Sequence, residues 1–201
     1  YTYDTLRKHV ASDLATGHYT HVFVIVMGWN TDQTEAIRNY NAIVSNLAVE
    51  ARGFAKARFN PLVIGVTWPS QWTLDANWAF VPEWLVRGLS FGFKEASARE
   101  VGKNFVVPMI ERSILAGRED ARATDSVPLT MIGHSFGALA LATAMAEPGG
   151  PKDGRYTARD KVVLLQGAVD FEELFERNAP PGTKARLAGR LGAQPFRIRS
   201  E

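Results

Sequence analysis

Two pentapeptides in the chain have the spacing of a serine held between glycines: Gly133-His134-Ser135-Phe136-Gly137 and Gly88-Leu89-Ser90-Phe91-Gly92. Such a run can do nucleophilic chemistry where a strand ends and a helix begins. The tight turn then lifts the hydroxyl above the sheet, and helix N–H groups lie beneath it. The first copy has that context. Leu129 to Ile132 is a short apolar run before it, and the alanine-rich run Phe136 to Glu147 follows, stopped by Pro148-Gly149-Gly150. The second copy follows Pro82-Glu83-Trp84-Leu85-Val86-Arg87, which is charged and starts with proline, and it reads as a helix or cap segment. Ser135 is therefore the candidate nucleophile, against the plainer reading of a structural Gly-Ser turn. The backbone N–H of Phe136 is the first candidate donor to an oxyanion.

The elements that must position these groups are legible in the apolar pattern. Val22 to Met27 is a continuous, mostly β-branched run ending at Gly28, the mark of a strand buried on both faces. Leu62 to Thr67, Leu129 to Ile132 and Lys161 to Gln166 are similar runs. Between them lie segments of helical period. Thr31 to Arg52 carries apolar residues three or four apart, with Thr31 or Asp32 as cap and Gly53 as its stop. Lys94 to Leu115 is helical with a predicted kink or restart at Pro108. A leading helix places Leu6, Val10 and Leu14 on one face and ends at Gly17. Strand and helix alternating in this way predict an α/β fold, a mostly parallel sheet with helices on both faces. Ligands of such sheets bind beyond the carboxyl ends of the strands. The residues there are Gly28-Trp29-Asn30-Thr31, Trp68-Pro69-Ser70, Gly133-His134-Ser135 and Gly167 to Asp170. Gly28, Trp68 and Trp72 are the candidate substrate contacts, and the N–H of Trp29 is the candidate second oxyanion donor.

Composition narrows the class. The chain has 201 residues, 46% hydrophobic and 22% charged, which predicts one globular domain over 1–201. Lys and Arg exceed Asp and Glu by two, 23 against 21, too small an excess to argue for nucleic acid. With no cysteine, thiol nucleophiles and thiolate metal sites are excluded. No apolar run approaches the ~18 residues of a membrane span. There is no phosphate loop, no G-x-G-x-x-G after a strand and no histidine pair at metal spacing, so no cofactor or metal is expected. Four of the five tryptophans fall between Trp68 and Trp84. Residues 68–93 read as a lid or acyl-binding wall, or equally as a helical hairpin with its own small core; contact with a membrane surface is a third use.

Val22 to Val26, Met27-Gly28-Trp29-Asn30-Thr31, Val66-Thr67-Trp68-Pro69-Ser70 and Ile132 to Gly137 together resemble the α/β-hydrolase superfamily of serine esterases and lipases. The likeness is greatest to a bacterial branch with a His-Gly-Tyr/Trp-Asn-Thr loop, Trp-Pro-Ser and Gly-His-Ser-x-Gly. It covers about Thr20 to Asp170. Met27 stands where that branch has histidine. The resemblance implies a triad in the order serine, acid, histidine, yet the four histidines (His9, His18, His21 and His134) all precede Ser135. The expected base is therefore a histidine beyond residue 201, on strands that the domain still lacks. Asp170 is the candidate acid; it also reads as the N-cap of a helix starting Asp170-Phe171-Glu172-Glu173. The implied function is hydrolysis of a carboxylic ester, a small molecule or a lipid. The alternative is a non-catalytic binding or scaffold protein that keeps the sheet without the base.

Overall fold

A computed structural model describes residues 2–28, 33–54, 59–68, 94–120, 127–146 and 155–167. Four parallel strands form one sheet: β1 (His21–Val26), β2 (Pro61–Val66), β3 (Leu129–His134) and β4 (Lys161–Leu165), in the order β2-β1-β3-β4. Helix α1 (Tyr3–Ala15) precedes β1, α2 (Gln33–Phe54) joins β1 to β2, a long helix α3 over 94–120 precedes β3, and α4 (Phe136–Ala146) follows it.

The alternation of β1 decides what packs where. Val22, Val24 and Val26 face a core shared with Leu129 and Met131 and with residues of α1, α3 and α4. Phe23, Ile25 and Met27 face the other way, onto Tyr40, Ile43 and Leu47 of α2. A six-residue strand with both faces covered needs the unbroken apolar run it has, and five of its six residues are buried. Helices thus cover both faces, as the alternation predicts. Among the described residues no helix is long and apolar enough to cross a membrane.

Three local expectations are corrected. Leu6 does not share the buried face of α1: Val10 and Leu14 are covered, while Leu6 remains 42% exposed. Gly53 does not end α2, which runs on to Phe54. Pro108 does not restart α3, which runs through it with a local change of helix type. The helix widens to π-type hydrogen bonding over Gly102–Val106 and Ile110–Leu115, on either side of the short α turn Val107–Met109. A proline ring clashes with the carbonyl four residues back in an α-helix, and wider turns relieve that clash without ending the helix. Gly17, with φ of 70°, stops α1 as expected.

The strand order has one consequence for function. The chain leaves β1 toward β2 on one side, then returns to place β3 and β4 on the other. The helices that follow β1 and β3 thus lie on opposite faces of the sheet, and in open parallel sheets ligands bind beyond the carboxyl ends of strands at such a switch point.

Candidate functional site

Both glycines of the first pentapeptide are required by space. A Cβ on Gly137 would lie 2.0 Å from the carbonyl oxygen of Val26, and one on Gly133 would lie 2.6 Å from Cα of Ala138. The first turn of α4 is thus pressed against the end of β1 and against β3 itself. Between the glycines the backbone reverses at Ser135, whose φ is 54°. A left-handed serine is costly for an L-residue, and such strain gathers at functional sites. The turn is held by the Ser135 N–H, which donates to the Leu165 carbonyl over 3.0 Å, and by the Ala138 N–H, which donates to the Ser135 carbonyl over 3.0 Å. Ser135 stays half-exposed, whereas Phe136 is buried as the first residue of α4, where N–H groups point out of the helix end.

Gly28, just past β1, lies against the serine. A Cβ there would sit 2.7 Å from Cβ of Ser135 and 3.2 Å from its Oγ. Read from sequence as a substrate contact, Gly28 is a direct neighbour of the candidate nucleophile. Only a residue without a side chain lets the backbone after β1 come so close. Met27 is buried beneath it in the α2-side core. Tyr40 on α2 supports this edge by donating its hydroxyl to the Val66 carbonyl at 2.7 Å. Its ring also fills the space over Gly65, and burial pushes the phenol up to about 12.

Trp68 is half-buried against the core on the α1, α3 and α4 side, just beyond β2. Trp29, Trp72, Ser90 and Asp170 lie outside the described residues, as do residues 69–93, so neither the second oxyanion donor, the acid nor the aromatic segment enters the described geometry.

None of the four histidines stands as a base to Ser135. His21 opens β1 and pairs with Pro61 at the opposite end of the sheet, five residues or ~17 Å back from Val26. Its ring packs on Phe23 and Phe59, and burial followed by the charge of Arg159 holds its pKa below the usual imidazole value. His18 leads into β1 at that same end, where its carbonyl accepts from Asn60 Nδ2 at 2.9 Å. His9 lies exposed on α1, which packs on the last turns of α3 through Gly117. His134 is next to the serine, but its Nε2 is 3.1 Å from Oε1 of Gln166.

The apolar pattern makes Gln166 the last residue of a strand, so sequence alone does not single it out. It is instead the first residue past β4, with φ of 44°. The signal available in sequence was a polar residue following Leu165 in an otherwise apolar run. Among the described residues no group of three or more His, Asp or Glu side chains could hold a metal ion. Compared with models of protein families, with curated proteins and with solved structures, the chain matches none.

Proposed function

We propose that the chain carries the nucleophile of a serine hydrolase of the α/β-hydrolase type, acting on carboxylic esters, lipid esters among them. One observation carries the reading: Ser135 is left-handed at the junction of β3 and α4, with Gly28, just past β1, so close that a Cβ there would meet the serine side chain. A structural turn at this place would be easier to build with glycine at the left-handed position. In the proposed reaction Ser135 Oγ attacks the ester carbonyl while a base takes its proton. The negative charge that develops on the carbonyl oxygen is held by the N–H groups of Phe136 and Trp29. The alcohol leaves with a proton from the base, and water then releases the acid by the same route. The strand order supports this: β1 and β3 are neighbours, Gly28 lies against the serine, and Trp29 is the next residue in sequence. Gly28, Trp68 and Trp72 are assigned to the substrate side, and Asp170 to the acid. The reading also needs a base, which none of His9, His18, His21 and His134 is placed to supply.

The competing reading, a hydrolase-like sheet used for binding alone, draws on the placement of the histidines: three lie away from the elbow and the fourth is bonded to Gln166. A fluorophosphonate probe separates the two. The full-length protein should be modified at Ser135, with the adduct located by mass spectrometry and absent in Ser135→Ala. An adduct on Ser90 alone would reject this choice of elbow. No adduct in a folded, full-length protein would favour the binding reading.

A further inference from the structure

Two residues other than glycine have left-handed backbones among the described residues, Ser135 and Gln166. They occupy the same place on adjacent strands. The last ladder pair of β3 and β4 is His134 with Leu165, and each left-handed residue is the one that follows. The residue after Gln166 is Gly167, which could take a left-handed turn at no steric cost, yet the turn falls on the glutamine. Two contacts accompany it. The Ser135 N–H donates to the carbonyl of Leu165, anchoring the peptide that leads into Gln166. The side chain of Gln166 then meets the imidazole of His134, Oε1 to Nε2 at 3.1 Å. Strain of this kind persists where surrounding contacts over-determine it.

We infer that Gln166 is a positioning residue for Ser135: its amide, through His134, clamps the end of β4 to the elbow and holds the serine in its left-handed turn. The inference rests on the reading of Ser135 as a nucleophile, and it adds a residue that touches neither the serine hydroxyl nor the reacting atoms. The clamp matters for chemistry because Oγ moves with the backbone of Ser135, and a nucleophile displaced by about 1 Å can lose about a hundredfold in rate. Both side chains of the pair are exposed, so replacing them opens no cavity in the core.

The test uses the full-length protein and two readouts: the rate of fluorophosphonate labelling against probe concentration, and hydrogen exchange of the Ser135 amide. Gln166→Ala should lower the maximal labelling rate by roughly fivefold to tenfold, the worth of one hydrogen bond, and leave the half-saturating concentration unchanged. Gln166→Glu keeps an acceptor at the same reach and should restore most of the rate. His134→Ala should match Gln166→Ala, and the double variant should be no slower than either, since one contact cannot be lost twice. The Ser135 amide should exchange faster in Gln166→Ala at unchanged thermal stability. Labelling and exchange at parental values in Gln166→Ala, or additive losses in the double variant, would overturn the clamp. If the parent takes no label, the hydrolase reading fails by itself. Exchange then decides the clamp alone: faster in Gln166→Ala upholds it, and equal rates reject it.

Discussion

At the amino ends of the strands, the residues that precede them tie neighbours together with relaxed, satisfied bonds. Thr20 and Asn60 exchange two hydrogen bonds of 2.8 Å ahead of β1 and β2, and Pro128 accepts from Val22 at 2.9 Å. Asp160, ahead of β4, accepts from the N–H of Leu129 at 2.7 Å, from the N–H of Thr157 at 2.8 Å and from Arg118 of α3 at 3.1 Å. The carboxyl ends differ. There the backbone turns left-handed at Ser135 and Gln166, glycines sit at contact distance from their neighbours, and His134, Ser135 and Gln166 remain open to solvent to varying degrees. The contrast teaches that one end sets the register of the sheet while the other spends part of the resulting rigidity on an unfavourable turn. Strain at a site is tolerable only where the rest of the scaffold is securely tied.

The comparison breaks most severely at Asp160. Its carboxylate and the Arg118 guanidinium are 1% and 3% exposed, so Asp160→Ala takes an ion-pair partner from a buried guanidinium and removes acceptors from two backbone N–H groups. A loss of about 3–5 kcal/mol is expected in denaturant unfolding. A loss below about 1 kcal/mol would mean that the amino ends are not what secures the sheet.

A smaller effect of opposite sign is expected at the other end. Ser135→Gly removes the penalty of a left-handed residue with a side chain, offset by glycine's greater freedom when unfolded. The net gain over Ser135→Ala should be about 1 kcal/mol in the same unfolding measurement. Equal stability of the two variants would mean that the turn stores no strain.

The smallest expected effect belongs to His21 at the amino edge. Its folded-state pKa lies below the ordinary imidazole value, because burial and the charge of Arg159 disfavour the cation. Its contribution is thus fully present above about pH 6.5 and is lost as the pH falls below that, when the unfolded chain takes up a proton more readily. Unfolding midpoints of the parent and of His21→Gln, compared from pH 8 to pH 5, should differ in slope below about pH 6.5, with the variant flatter. Parallel curves would remove His21 from the account.

Much of this architecture is already contained in the residues. An unbroken apolar run such as Val22 to Val26 can be satisfied only by cover on both faces, and Gly133 and Gly137 around Ser135 mark a turn too tight for side chains. These features are local, so short-range pattern suffices to read them. The passage of α3 through Pro108, the exposure of Leu6, the bonding of Asp160 and the pairing of His134 with Gln166 could not be read in that way. Each depends on what a distant segment brings to the same point: Arg118 lies 42 residues from Asp160, and His134 lies 32 from Gln166. Periodicity states which face of an element is apolar, but not which residue of another element will meet its end. By itself the sequence determined the alternating strands and helices and the serine turn. Only the tertiary structure decided which strand ends stand side by side, and hence that Gly28, Ser135, His134 and Gln166 share one edge, because that placement follows from the strand order β2-β1-β3-β4.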